Sequence, residues 1–144
     1  MMKNVFSPVV IVFCLLTLVA CGSNKVEGKG PEDIPVEWVN AEVQRDGSKM
    51  LDLLDEKTNA LDSDQKAENN TVIENYKLTE WKASEDRYFY EVIYENPQKS
   101  GATTEQMEVV KTEKGWKRTS YSDLRNFDTL TQDLEPNVLK EMHN

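Results

Sequence analysis

Near residue 70 the spacing of apolar residues changes from about 3.6 to two, and that change decides the fold class. Before it, Val36, Val39, Val43, Met50, Leu51 and Leu54 recur close to helical spacing and make one apolar stripe. Asp33, Pro35 and Glu37 supply helix-start chemistry, with acidic groups near the positive end of the dipole. Asp46-Gly47 interrupts the stripe, so residues 31–61 are expected to form one helix kinked there or two in sequence. Trp38 lies off the stripe, either packing under a loop or the C-terminal segment or lining a ligand pocket.

After residue 70, alternation takes over, and Tyr76 to Tyr94 holds six of the ten aromatic residues found from Cys21 onward. Val72, Tyr76 and Leu78 share one face of a first strand. Tyr88, Tyr90, Val92 and Tyr94 share one face of a second, with Phe89 and Ile93 opposite. "ASED" turns between them, and "NPQKSGA" leads to a third strand over about Thr104 to Thr112. "EKG" then turns into a fourth from Trp116 to Tyr121. Four strands with short links over residues 71–121 make an antiparallel meander, and the helix stripe needs a surface to cover. The expected class is therefore α+β. After Ser122, Leu124, Phe127, Leu130, Leu134, Val138, Leu139 and Met142 resume helical spacing, so residues 122–144 read as a helical segment with a short second helix starting near Pro136.

The N-terminus has a different logic. Lys3, an apolar run from Val9 to Ala20 and small Ala20 have the parts of an export signal, and the run is shorter than the roughly 20 residues a spanning helix needs. Leu18-Val19-Ala20-Cys21 resembles the bacterial lipobox. The resemblance implies diacylglyceryl transfer to the Cys21 thiol and cleavage before it by the lipoprotein signal peptidase, which recognises Leu18, Val19 and Ala20. Two acyl chains would hold a protein on a membrane where a single myristoyl chain binds only marginally. The division that follows is a signal peptide over 1–20, a flexible lipid-anchored linker over 21–30 and one domain over 31–144. The linker residues "GSNKVEGKG" are polar, glycine-rich and without period, as a free leash would be.

Cleavage removes Cys14, and lipidation consumes Cys21, so no thiol remains for a disulfide, a cysteine zinc site or a thiol nucleophile. Loss of Lys3 takes the formal charge from −9 to −10. Such an excess disfavours nucleic acid, since the nearest basic cluster, Lys114 to Arg118, is only three charges beside a tryptophan. It should also be repelled by anionic head groups, leaving the body to stand off on its tether.

"PVEWVNAEV", "YKLTEWKASEDRYFYEVIYE" and "EVVKTEKGWKRTSY" together resemble the small Gram-positive lipoproteins with nuclear-transport-factor-like, cystatin-like cone domains. That resemblance spans about residues 31–121 and implies a curved sheet wrapped around helices, often with a cavity. Enzymes, ligand carriers and assembly subunits share the fold, so function has to come from the site.

Catalytic chemistry has few footholds. His143, the only histidine, sits one residue from the end, which argues against histidine catalysis and a multi-histidine metal site. "DSD" at 62–64 fails as a calcium loop, because Lys66, Ala67 and Ile73 fall where a ligand, glycine and the bidentate glutamate belong. No catalytic triad, phosphate loop or dinucleotide fingerprint occurs, and no metal or cofactor is expected. Glu74 and Glu80 share strand parity with Tyr76 and Leu78, so a carboxylate-plus-tyrosine pocket of the cone-fold enzyme type stays open. Tyr76, Tyr88, Tyr90 and Tyr94, with Trp38, are the candidate binding face, against the plainer reading of a core or cross-strand lattice. The expectation is a lipid-anchored, extracytoplasmic binding or assembly module of a Gram-positive cell membrane, acting on an envelope protein or small ligand; the alternative is a small carboxylate-and-tyrosine enzyme.

Overall fold

A computed structural model of the chain describes residues 24–144. Two helices lie first in the chain, α1 (Asp33–Val43) and α2 (Gly47–Leu53). Asp33 holds the entry to α1 by accepting a hydrogen bond from the Gly30 amide at 2.8 Å. The break comes at Gln44 to Asp46, where Arg45 takes a left-handed φ of 55°. Asp46 then caps α2, its Oδ1 accepting from the Lys49 amide at 2.9 Å. Two helices in sequence is thus the outcome. Gly47 is required for a local reason: a Cβ there would stand 2.6 Å from the Asp62 carbonyl oxygen of the returning loop.

Residues 55–75 carry the chain back along the helices rather than forming a strand. Asn40 Oδ1 accepts from the Ile73 amide at 2.8 Å, and Gln44 Nε2 donates to the Thr71 carbonyl at 2.9 Å. Val72, expected on the first strand, lies in this loop at 49% exposure. The sheet begins at Tyr76.

Its strands are β1 (Tyr76–Ser84), β2 (Arg87–Glu95), β3 (Ala102–Thr112) and β4 (Gly115–Arg118), the expected antiparallel meander with the last strand cut short. Gly101 and Gly115, at φ 87° and 97°, sit where the turns into β3 and β4 need positive φ. A fifth strand departs from the expectation. After a five-residue helix, α3 (Phe127–Thr131), the chain runs as β5 (Pro136–Lys140) antiparallel to β1. The sheet order is β4-β3-β2-β1-β5.

The expected helix near Pro136 is therefore replaced by an edge strand. Proline cannot donate to a ladder and is tolerated at the first position of an edge strand. The open edge of β1 offers backbone hydrogen bonds that an isolated helical turn would lack. Val138 and Leu139 stay exposed, so their helical spacing records no buried stripe.

Both faces of the central strands are covered. On one side, Leu78, Tyr88, Tyr90, Val92, Tyr94, Met107, Val109 and Trp116 meet Ile34, Trp38, Val39, Val43, Met50, Leu53 and Leu54. On the other, Phe127 of α3 packs edge-on against Trp81 at 5.2 Å and Phe89 at 6.3 Å. The outer side of β4 is bridged by Leu54, and the Asp55 amide donates to the Arg118 carbonyl at 2.8 Å.

Residues 24–30 are not a free leash. Val26 and Lys29 exchange both backbone hydrogen bonds, and Val26 packs partly buried against the core. Asn24 is held twice, its Nδ2 donating to the Tyr88 hydroxyl and its carbonyl accepting from Trp116 Nε1, each at 2.6 Å. Polar composition alone did not reveal these two partners.

Candidate functional site

The tyrosine row of β2 points toward the helices. Tyr88, Tyr90 and Tyr94 are buried, with Tyr88 and Tyr90 stacked at 6.2 Å and Tyr88 edge-on to Trp116 at 5.5 Å. Trp38 is buried as well, tilted against Tyr121 at 6.2 Å, so it packs under the loop after β4. Tyr76 is half-buried beneath the Lys140 ammonium, 3.7 Å from its ring. The candidate binding face is thus mainly interior: strand parity groups its tyrosines correctly, but α1, α2 and residues 24–30 cover that side. Cavities border the group at its margins, at Tyr88 and at Trp38.

The Tyr88 cavity, about 400 Å³, lies between the tether and the sheet. Asn24, Lys25 and Glu32 frame one side, Leu139 of β5 another, and Glu80 and Tyr88 form the sheet wall. Glu80 stands opposite Tyr90 in the β1–β2 register, and the Tyr90 hydroxyl donates to Glu80 Oε2 at 2.5 Å. Glu80 thus meets a tyrosine, but it is Tyr90 of the neighbouring strand and not Tyr76 of its own. Glu74 does not join them; it lies exposed before β1, and its carbonyl accepts from Lys140 Nζ at 3.1 Å.

The chemistry of the pair follows from burial. Tyr90 has 0% exposure, and that burial, followed by the Glu80 carboxylate, pushes its hydroxyl far above the usual phenol range. It stays a neutral donor committed to Glu80, unable to exchange its proton with a ligand near neutral pH. Glu80 is half-buried on the cavity wall and offers acceptor capacity beside the apolar surfaces of Leu139 and Tyr88. Such a site suits a donor or cationic group on a small apolar body.

A second polar centre lies where β3, β4 and α1 meet. Arg118 is 2% exposed, its guanidinium 4.2 Å over the Trp38 ring. Nε donates to the Ser120 carbonyl at 2.8 Å and Nη2 to the Tyr121 carbonyl at 3.2 Å, which fixes the chain leaving β4. Nη1 approaches Glu105 Oε2 at 3.5 Å without forming a hydrogen bond. Burial, followed by the nearby Glu42 charge, pushes the Glu105 carboxyl up to about 7, with Arg118 opposing the rise. Glu42, Glu105 and Asp123 border a cavity of about 310 Å³ with Trp38 and Tyr121. Sequence reading missed this centre. Its one available signal was parity, which places Glu105 inward with Met107 and Val109, and Arg118 inward with Trp116.

Leu18, Val19, Ala20 and Cys21, the residues that resemble a lipobox, lie outside the described residues. Among the described residues no group of three or more His, Cys, Asp or Glu side chains is placed to hold a metal, and no helix is long and apolar enough to cross a membrane. Comparison with protein-family models, curated proteins and solved structures finds no match to this chain.

Proposed function

We propose that this protein is a lipid-anchored, extracytoplasmic lipoprotein whose domain binds or assembles rather than catalyses, on a cell membrane of Gram-positive type. The observation that carries the reading is how close to Leu18-Val19-Ala20-Cys21 the packed residues reach. Asn24, three residues after the cysteine, already packs on Tyr88 and Trp116, so the lipobox leader and the domain meet with almost nothing between them. A cleaved and lipidated Cys21 would put the domain directly behind its anchor. The helix-on-antiparallel-sheet architecture agrees with the resemblance to cone-domain lipoproteins. On this reading the acceptor cavity at Glu80 takes a small ligand or a donor group of an envelope protein.

Metabolic labelling with a palmitate analogue tests the anchor. The wild-type chain should take up label and partition with detergent, and Cys21→Ser should do neither or accumulate unprocessed. An unlabelled wild-type protein in the aqueous phase overturns the proposal.

The 2.5 Å contact of Tyr90 with Glu80 is what an enzymatic reading would build on. That reading needs a tyrosine hydroxyl that reaches a substrate, whereas Tyr90 is sealed and already committed. Turnover abolished by Glu80→Gln with stability unchanged would nonetheless establish it.

A further inference from the structure

We infer that the end of the sheet bearing the β1–β2 and β3–β4 turns is a membrane-contact surface, held against the lipid head groups by the docked tether. The inference rests on the lipid anchor proposed above and adds an orientation to it. In an antiparallel meander, alternate turns fall at the same end of the sheet. The Glu85-Asp86 and Glu113-Lys114 turns therefore neighbour each other, and the Lys111 amide donates to the Asp86 carbonyl at 2.9 Å. Asn24 is fixed at this end through Tyr88, next to the first turn, and Trp116, next to the second.

Chain geometry then sets the distance. From Cys21 to Asn24 there are three residue steps, which span at most about 10 Å when fully extended. A leash free to residue 30 would reach about 30 Å and leave orientation open. The docked one holds this end within roughly one Debye length of the head groups, about 8 Å at physiological ionic strength.

Charge makes the approach tolerable. The tip carries Lys25, Lys82, Lys111 and Lys114 against Glu27, Glu85, Asp86 and Glu113, four bases to four acids. Residues 24–144 as a whole hold 16 bases and 26 acids, so the acid excess is concentrated elsewhere. Strands of nine residues, at about 3.3 Å each, put the opposite end roughly 30 Å away, beyond several Debye lengths. The expected repulsion of the whole body from anionic lipid thus falls mainly on surface away from this tip. At that far end, a groove of about 700 Å³ lined by Val72, Asn75, Glu95, Pro97, Lys99 and Met142 faces away from the membrane, open to soluble partners.

The mature chain has no cysteine besides the lipidated one, so a single new thiol can be labelled cleanly. Full-length lipidated Ser84→Cys and Ser100→Cys proteins, each carrying a thiol-linked fluorophore, are reconstituted in vesicles of equal parts phosphatidylcholine and phosphatidylglycerol with a head-group quencher. The Ser84 label should be quenched several-fold more than the Ser100 label. Adding Asn24→Ala with Trp116→Phe, which removes both hydrogen bonds that fix Asn24 and moves the first held residue to Val26, should bring the two labels closer together. Equal quenching in protein that floats with the vesicles, or a difference left undiminished by the double change, overturns the orientation. Protein that fails to float with the vesicles overturns the anchor and the orientation with it.

Discussion

Trp116 Nε1 donates to the carbonyl of Asn24 at 2.6 Å, joining residues 92 apart in sequence. One bond ties the tether to the last hairpin, and the same indole packs edge-on against Tyr88. Its two roles separate by substitution. Trp116→Phe should lose about 1 kcal/mol with the hydrogen bond and speed proteolysis before Pro31. Trp116→Ala should cost roughly 3 to 5 kcal/mol. Denaturant unfolding with limited proteolysis reads both, and equal losses for the two variants would mean that the ring's packing adds nothing.

Tyr90→Phe removes the one hydroxyl that satisfies Glu80 from inside the protein. The half-buried carboxylate is then left short of a donor, and stability should fall by about 1 to 3 kcal/mol. Tyr90→Phe with Glu80→Leu removes both polar partners and should recover part of that loss, as a double-mutant cycle measures. No recovery would show that the two residues do not act as a pair.

Glu105 makes stability depend on pH in a defined window. Burial, Glu42 and Asp123 raise its carboxyl from 4.5 to about 7 despite Arg118, so the folded chain binds this proton more tightly than the unfolded chain does. Its protonation therefore stabilises the fold fully below pH 4.5, and the contribution is lost as pH rises from there to 7, by at most about 3 kcal/mol. Glu105→Gln should flatten this part of the stability profile. An unchanged slope between those values would assign the dependence to other groups.

Phe127 is the anchor of the C-terminal segment on the sheet face away from α1 and α2. Phe127→Ala should cost roughly 3 to 5 kcal/mol and raise hydrogen exchange in β5 more than in β3. Unchanged exchange in β5 would show that its pairing with β1 holds without α3.

The hairpins were legible because period two, the turn compositions and Gly101 and Gly115 all pointed to the same boundaries. β5 was hidden by Leu134, Val138 and Met142, whose spacing of four imitates a helix, while the feature that decided the matter was the unpaired edge of a strand some 60 residues earlier. Glu80 was readable as a neighbour of Tyr76 and Leu78, but its contact with Tyr90 depends on hairpin register, which parity leaves open by steps of two. The Arg118 and Glu105 centre was less visible still, since charged residues on an inward face pair only once strands and helix meet.

The sheet is completed by its own last strand. Leu78 pairs with Lys140, so β1 keeps a bare edge until residue 140 has emerged, whereas the β1–β4 meander can close as soon as residue 118 is available. During that interval β1 can recruit a strand from another molecule, and the arrival of Pro136 to Lys140 ends the exposure. The timing of Pro136 to Lys140, more than their small buried area, is what these five contribute to a productive folding route.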